Sequence, residues 1–239
     1  MKLSVIIPTL NEARYLGTAV VLVRSRAVLS ASHEIIVADC GSTDGSAELA
    51  ARLGVCVVEE NPRPESRAAA LNAGAARATG DVLLFLDADT QAPRGYDRAI
   101  ERALRDPLVV GGAFEFALDG PEFGLRLVEL INRIRYRIWP YFYGDQGIFV
   151  RAEVFHRLGG YPCRRILEAS DLCRKLDRNG KLVLIHKPIK TSPRRFVEGG
   201  AYRVLAHDVR IWLLDLMRLS TERYGADYQL ENRRRGRSG

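Results

Sequence analysis

The stretch that decides the fold runs from residue 81 to residue 89 and reads Asp81-Val82-Leu83-Leu84-Phe85-Leu86-Asp87-Ala88-Asp89. Its apolar run is too short for a helix and suits a strand that is buried on both faces. Three similar runs precede it, at Leu3–Ile7, Glu34–Asp39 and Val55–Val58. The helical patterns between the runs cover Glu12–Leu29, Thr43–Leu53 and Glu65–Ala78. Because strands alternate with helices, these residues predict an α/β fold with a parallel sheet.

After residue 110 the alternation becomes less regular. The patterns predict strands at Val109–Phe116 and Lys181–Ile185, a loop and short strand at Gly144–Val150, and helices at Pro121–Trp139, Glu168–Arg178 and Tyr202–Tyr224. No repeat or low-complexity linker separates the two parts of the chain. We therefore expect a single domain over residues 1–230, with its halves meeting near residue 110.

The composition is that of an ordinary soluble globular protein, with 47% hydrophobic and 27% charged residues. No apolar stretch approaches the roughly 18 residues that a membrane helix needs. The apolar stretch before Pro8 is too short for a signal peptide, so a cytoplasmic location is expected. The four cysteines form no C-x-x-C pair, which predicts reduced, mostly buried thiols rather than disulfides or a zinc site.

The formal charge is +7, and a large part of it lies in the last nine residues. Residues 231–239 contain Arg233, Arg234, Arg235 and Arg237, and such a basic end is usually solvated and disordered. An alternative is attraction of the tail to anionic lipid. Binding to nucleic acid is not expected, because no recognition motif accompanies the tail.

Polar clusters follow three of the predicted strands, at Pro8–Glu12, Asp39–Ser46 and Asp87–Asp89. Ligands of an open parallel sheet bind at the carboxyl ends of its strands, so the clusters predict one shared site. Two carboxylates separated by one residue, Asp87 and Asp89, suit Mg²⁺ or Mn²⁺ held between protein and phosphate oxygens. The alternative is a turn that carries two solvated aspartates.

Four motifs in order resemble the family-2 glycosyltransferases, which have the GT-A fold. They are Ser4–Glu12 (SVIIPTLNE), Ile36–Gly45 (IVADCGSTDG), Arg67–Gly74 (RAAALNAG) and Asp81–Asp89 (DVLLFLDAD). Later segments resemble the bacterial branch that is labelled radical-SAM/selenodomain-associated: Gly144–Arg151 (GDQGIFVR), Leu158–Tyr161 (LGGY) and Thr191–Arg195 (TSPRR). The resemblance covers about residues 2–200.

This resemblance implies a mixed, mainly parallel sheet flanked by helices and a metal-dependent enzyme of the hexosyltransferase class. Residues 1–110 would bind a UDP- or GDP-sugar with Mg²⁺ or Mn²⁺, and residues 111–230 would bind the acceptor. The site residues that it implies are Pro8, Thr9 and Glu12 at the nucleobase and ribose, Asp39 at the base, Arg67 and Asn72 beside the nucleotide, Asp87 at the ribose and metal, and Asp89 on the metal. The alternatives are helix capping by Asn11 and Glu12, and a solvated Arg67.

Arginines near residue 194 offer a second clamp for phosphate, because a guanidinium matches phosphate oxygens. Arg194 and Arg195 are the candidates, and the alternative is two ordinary surface arginines. Such a clamp would stabilise the negative charge that grows on the departing nucleoside diphosphate.

The catalytic base departs from the pattern of the family. Members usually carry Glu-Asp at the head of a late helix, whereas this chain has Glu168-Ala169. The candidates for the base are therefore Glu168, Asp171 and Asp145. In the alternative interpretation Asp171 only pairs with Lys175, four residues further along the helix.

An inverting transferase agrees with all these features, and three other functions are alternatives to it. A non-catalytic nucleotide-sugar-binding relative would have lost its base at Ala169. A dinucleotide-dependent oxidoreductase would need G-x-G-x-x-G after a strand, and no strand is followed by it. A nucleotidyltransferase would carry a glycine-rich phosphate loop after the first strand, and this chain has none there.

The stretch Phe123–Phe142 combines an apolar helix face with basic and aromatic residues. These are Arg126, Arg133, Arg135, Arg137, Tyr136, Trp139, Tyr141 and Phe142. One interpretation is a helix that packs on the sheet and leaves its arginines in solvent. The other is peripheral contact with an anionic membrane, which would fit a lipid-linked acceptor.

Overall fold

The computed structural model describes residues 1–29, 33–59, 66–138, 141–164, 166–217, 219–221 and 224. Its strands are β1 (Leu3–Thr9), β2 (His33–Asp39), β3 (Cys56–Glu59), β4 (Val82–Phe85), β5 (Thr90–Gln91), β6 (Val109–Leu118), β7 (Ile148–Arg151) and β8 (Lys181–Thr191). Its helices are α1 (Ala13–Arg26), α2 (Ser46–Arg52), α3 (Arg67–Arg77), α4 (Tyr96–Ala103), α5 (Phe123–Ile138), α6 (Ala152–Arg157), α7 (Glu168–Asp177), α8 (Arg194–Gly199) and α9 (Ala201–Leu216), with a 3₁₀ turn at Gly144–Gln146.

All described strands belong to one mixed sheet, in the order β3-β2-β1-β4-β7-β6-β8-β5. The pairs β1–β2, β2–β3, β1–β4 and β6–β8 are parallel, whereas β7 runs antiparallel to both of its neighbours and β5 runs antiparallel to β8. Thr9 at the end of β1 lies opposite Asp39 at the end of β2. The predicted α/β class and mainly parallel sheet are therefore confirmed, and the loops after β1, β2 and β4 share one edge.

Successive side chains of a central strand point into two different hydrophobic layers, one on each face of the sheet. Because both layers are apolar, the sequences of these strands are continuously apolar. In β4, Val82 and Leu84 pack on the side of α1, α2 and α4, while Leu83 and Phe85 pack on the side of α3, α6 and α7. Gly74 of α3 lies so close to the sheet that a Cβ there would be 2.6 Å from Cγ2 of Ile6. A third cluster joins α5, α8 and α9 to β6.

The predicted elements are present, with differences at several ends. The predicted strand Lys181–Ile185 continues as β8 to Thr191, because His186 and Lys187 form an irregularity at which Glu115 pairs with Pro188. The prediction that the last helix extends to Tyr224 is wrong, since α9 ends at Leu216. In the described part of the chain, the four elements without a sequence prediction are all short: β5, α4, α6 and α8.

Some sequence predictions fall outside the described residues. Glu65, Trp139, residues 225–239 and the side chain of Arg137 are among them. The prediction of mostly buried thiols is wrong, because Cys56 and Cys163 are exposed, Cys40 is half-buried and only Cys173 is buried. Within the described part of the chain, no helix is both long and apolar enough to span a membrane.

Candidate active site

The loops after β1 and β2 are joined by side-chain hydrogen bonds. Asn11, which has a φ of +55°, accepts the backbone N–H of Thr43 at its Oδ1, with a distance of 2.8 Å. In return, Asn11 donates its own N–H to Oγ of Ser42. The N–H groups of Glu12 and Ala13, at the start of α1, are bound by Ser46 and Asp44 respectively. The side chain of Glu12 makes no capping bond, so the alternative role of Glu12 as a side-chain cap is wrong.

Asp39 is buried at the end of β2 and shapes the loop that follows. Its carboxylate accepts the N–H groups of Gly41 and Ser42 at 2.7 and 2.8 Å and the hydroxyl of Ser42 at 2.5 Å. The neighbouring residues at the end of β1 are Pro8, half-buried, and Thr9, whose hydroxyl donates to the carbonyl of Ile7. Asp39 is therefore at the predicted edge, with three hydrogen bonds already made inside its own loop.

Arg67 connects three separate parts of the chain. Its Nη2 lies 2.5 Å from Oδ1 of Asp87, and its Nη1 lies 2.6 Å from Oε1 of Glu168. Ser66 caps α3 by accepting the N–H of Ala69, which fixes the helix end from which Arg67 projects. The alternative of a solvated Arg67 is wrong, because both terminal nitrogens of its guanidinium group are bound by carboxylates.

Arg194 joins the first loop to the Asp87–Asp89 segment. Its guanidinium makes two bonds to the Glu12 carboxylate, at 2.5 and 3.0 Å, and lies 3.1 Å from Oδ2 of Asp89. The guanidinium carbon also stacks 4.8 Å from the ring centroid of Tyr15. Arg195, by contrast, makes a two-bond ion pair with Asp208 of α9. Arg194 therefore lies at the predicted edge, whereas the ion pair of Arg195 agrees with the alternative of a surface arginine.

Asp87 and Asp89 follow β4 and each is paired with one arginine. Burial raises the pKa of the Asp89 carboxyl to about 6, Asp87 adds to that rise, and Arg194 opposes it. Among the described residues, no group of three or more His, Cys, Asp or Glu side chains is arranged to hold a metal. The two carboxylates still fit a Mg²⁺ or Mn²⁺ site that substrate phosphates and water complete.

The predicted candidates for the catalytic base differ in their surroundings. Glu168 is held by Arg67, and Ala169 beside it is buried. Asp171 pairs with Arg164 at 2.7 Å and with Arg174 at 2.6 Å. The alternative in which Asp171 pairs with Lys175 is wrong, because Nζ of Lys175 instead donates to carbonyls of the loop after α6.

Asp145 has neither a hydrogen bond nor an ion pair with any described residue. It lies in the 3₁₀ turn, where Gln146 fixes the backbone by accepting the N–H of Tyr143 and donating to the carbonyl of Phe114. The turn packs on Arg67, since a Cβ on Gly144 would lie 2.6 Å from Nη2 of Arg67. Burial and the charge of Asp87 raise the pKa of the Asp145 carboxyl to about 6.

Asn72 holds a loop of the second half against α3. Its Nδ2 donates to the carbonyl of Tyr161, and its Oδ1 accepts the N–H of Tyr161, both at 2.9 Å. A Cβ on residue 160 would lie 2.5 Å from Oδ1 of Asn72, which explains why this position is Gly160. This structural role was missed because the two partners are 89 positions apart in the chain.

A cavity of about 260 Å³ opens between α5, α7 and α9. Its lining includes Arg135, Tyr141, Tyr143, Ser170 and Trp212. Tyr143 and Ser170 lie two residues from Asp145 and Glu168 in the chain, so the cavity adjoins the turn that carries Asp145. Tyr15 and Gln146 are further site residues that the sequence did not single out.

A comparison with known families accounts for this arrangement, since residues 4–159 match the model of glycosyl transferase family 2. The chain belongs to glycosyl transferase family 2. It is 32% identical over 167 residues to an undecaprenyl-phosphate 4-deoxy-4-formamido-L-arabinose transferase of Sodalis glossinidius. That match covers 65% of this chain and 49% of the relative, so the chain spans about half the length of this curated relative.

Two solved structures show that this family-2 chain has the GT-A fold. One is glucosyl-3-phosphoglycerate synthase of Mycobacterium tuberculosis with Mn²⁺, UDP and glucosyl-3-phosphoglycerate, with a TM-score of 0.64 and 20% identity over 92% of this chain and 81% of that one. The other is a mannosyltransferase of Pyrobaculum calidifontis with GDP-mannose and Mn²⁺, with a TM-score of 0.62 and 22% identity over 79% and 56% of the two chains.

Proposed function

We propose that the chain is an active glycosyltransferase that moves a sugar from a UDP- or GDP-sugar to an acceptor hydroxyl with inversion, using Mg²⁺ or Mn²⁺. The observation that carries the proposal is the group of Asp87 and Asp89 with Arg67 and Arg194 at the edge where Asp39 lies. The two carboxylates would hold the cation, and the two guanidinium groups would bind diphosphate oxygens. The bound cation would supply a positive charge beside the departing diphosphate.

In this proposal Asp145 is the catalytic base. Its carboxylate would take the proton of the acceptor hydroxyl as the acceptor oxygen bonds to the anomeric carbon and the bond from that carbon to the diphosphate oxygen breaks. Attack from the side opposite the diphosphate gives inversion. Asp145 is favoured over Glu168 and Asp171 because those two carboxylates are occupied by arginines.

A non-catalytic nucleotide-sugar-binding relative is the second candidate function. The observation in its favour is Ala169, a buried methyl group where the family usually places the base. Under that hypothesis the donor loops would bind nucleotide sugar without breaking it. Release of nucleoside diphosphate separates the two functions.

The acceptor is proposed to be lipid-linked and reached at the inner face of the membrane by a cytoplasmic protein. The support for it is the name of the undecaprenyl-phosphate transferase relative. Membership of the radical-SAM/selenodomain-associated branch is proposed on the residues of Gly144–Arg151, Leu158–Tyr161 and Thr191–Arg195.

The donor class is tested by thermal unfolding with a panel of nucleotide diphosphate sugars, each with and without Mn²⁺. A ligand at one hundred times its dissociation constant stabilises the folded state by about 2.7 kcal/mol, which raises the unfolding temperature. We expect UDP- or GDP-sugars to raise it only when Mn²⁺ is present. A panel in which no sugar nucleotide changes the unfolding temperature contradicts the proposed donor.

Asp39 is proposed to select the nucleobase through a charge-assisted hydrogen bond from an imino N–H. Such a bond is worth about 1.5–3 kcal/mol, so Asp39→Asn is expected to weaken UDP or GDP binding by about tenfold or more. The control is Ser42→Ala, which removes the hydroxyl that donates a hydrogen bond to Asp39 but leaves the Asp39 carboxylate in place. If Asp39→Asn and the parent bind each nucleotide equally in calorimetry, Asp39 only shapes the loop.

A further inference from the structure

Exposed apolar side chains are concentrated on one part of the second half. Among the residues that the structure describes, thirteen large apolar side chains are exposed, and nine of them lie on α5, α8, α9 or just after α9. These nine are called the apolar patch: Phe123, Leu130, Ile134, Ile138, Val197, Tyr202, Leu213, Met217 and Leu219. Single exposed apolar residues are ordinary, but a group of this kind marks an interaction surface.

On α5 the patch forms a continuous stripe. Phe123, Leu130, Ile134 and Ile138 recur at steps of seven, four and four residues and so share one side of the helix. The opposite side carries Leu125 and Val128, among others, and packs on β6. Arg126 and Arg133 border the stripe, with about half of each side chain exposed.

The same pattern is present on α9. Tyr202, Leu213 and Met217 lie on one side of the helix, and the exposed Arg203 and Arg210 border them. The two helices meet near their N-termini, where a Cβ on Gly124 would lie 3.0 Å from Cβ of Ala201. Each helix thus presents an apolar stripe with arginines at its margin, which is the pattern of helices that lie in a membrane interface.

Carboxylates pair with both arginines beside the α5 stripe, since Arg126 lies 2.7 Å from Glu129 and Arg133 lies 2.8 Å from Glu115. On α9, Asp215 is buried and Asp208 is paired with Arg195. The positive charge that is complementary to an anionic surface therefore comes from the exposed Arg203 and Arg210 of α9. The sequence interpretation placed Arg135, Tyr136, Tyr141 and Phe142 at the membrane, and it is wrong for them: three are buried, and Tyr141 is half-buried.

We infer that the apolar patch docks the protein on an anionic lipid surface. The apolar side chains enter the interface, and Arg203 and Arg210 face the headgroups. α8 links this surface to the donor site, because Arg194 at its start contacts Asp89 and Val197 of the patch follows within one turn. The inference rests on the proposed function only for the identity of the acceptor, which docking would bring to the site from the lipid surface.

The test is co-sedimentation of the full chain with vesicles of phosphatidylglycerol and phosphatidylcholine, compared with phosphatidylcholine alone. The double variant Ile134→Asp, Leu213→Asp changes the patch, where these side chains are 50% and 43% exposed. The matched control is Val21→Asp, Leu108→Asp, two residues outside the patch that are 54% and 58% exposed. We expect the parent and the control to bind anionic vesicles equally, and the patch variant to bind at least tenfold more weakly.

Binding of the parent is also expected to fall as salt is raised, since salt screens the arginines. The inference is overturned if the parent does not bind, or if the patch variant binds as the parent does, which would assign attachment to residues outside the patch. The parent could fail to bind vesicles and instead form a dimer that the patch substitutions convert to a monomer. That result would overturn the inference and assign the patch to contact with a second copy of the chain. Calorimetry with UDP and GDP on all three proteins reports on the donor site separately.

Discussion

Asp145→Asn is expected to lower kcat by about 10²–10⁴-fold, which is the usual contribution of a positioned general base. Asparagine keeps the size of the side chain, and Asp145 makes no hydrogen bond or ion pair within the described structure that the substitution would break. The affinity for the donor nucleotide should therefore stay within about twofold, which separates loss of the base from loss of the fold. The measurement is turnover at saturating donor together with calorimetry of nucleotide binding.

The dependence of kcat on pH gives a second readout of the same carboxylate. A general base acts when it is ionised, and the pKa of Asp145 is raised to about 6. We therefore expect kcat at saturating donor to fall as the pH drops below about 6 and to be level above it. In Asp145→Asn the small remaining rate should lack this fall.

Asp171→Asn is the control, because Asp171 is held between Arg164 and Arg174 in a separate ion-pair cluster. Its kcat should stay within about threefold of the parent value, although the loss of two ion pairs lowers stability. A parent-like kcat in Asp145→Asn, combined with a large loss in Glu168→Gln, would move the base to Glu168.

Asp89→Asn is expected to weaken metal-dependent binding of UDP or GDP by about 100-fold or more, equivalent to about 2.7 kcal/mol. The substitution removes a negative charge that a hard divalent cation needs, while the amide keeps the shape of the side chain. Binding measured without Mn²⁺ should change little, because Arg67 and Arg194 remain. Calorimetry with and without Mn²⁺ measures the difference directly.

The matched control is Asp119→Asn, at an exposed carboxylate whose partner is Lys190 at 3.6 Å. It should bind nucleotide as the parent does under both conditions. Unfolding curves of the two variants should resemble that of the parent. If Asp89→Asn retains the full effect of Mn²⁺, Asp89 is not a metal ligand.

Much of the fold could be predicted, because its signals are local in the sequence. The apolar runs at Leu3–Ile7 and Asp81–Asp87 are strands between two hydrophobic layers, and each strand end carries its polar cluster. By contrast, α4, α6 and α8 are six to eight residues long. About two helical turns are too few for the spacing of apolar residues to indicate a helix.

The pairings within the site could not be predicted in the same way. Arg67 and Glu168 are 101 positions apart, and Arg194 and Glu12 are 182 apart. Residue type indicated that these side chains suit phosphate and metal, but only the tertiary structure brings each arginine to its carboxylates. The same holds for Asp145, which differs from Glu168 and Asp171 in making no ion pair with any described residue, a difference that only the tertiary structure reveals.

The stretch Phe123–Phe142 shows that an amphipathic pattern predicts a helix without specifying what each face of that helix contacts. The amphipathic pattern is present, but Arg135 lies on the buried side, where it donates to the carbonyl of Tyr141 and to Gln146 and stacks 4.1 Å from the ring of Tyr143. The outer side carries apolar residues beside its arginines, so neither sequence interpretation described it fully.

The central claim is that the chain breaks the bond between sugar and nucleoside diphosphate. The most direct measurement is the release of UDP or GDP from the nucleotide sugar that stabilises the protein, with Mn²⁺, in the parent and in Asp145→Asn. We predict release by the parent that stops when the metal is chelated and falls by about 10²-fold or more in the variant. Tight binding of the nucleotide sugar with no release, by the parent and with extracted lipid acceptors present, would contradict the claim and identify a non-catalytic binding protein.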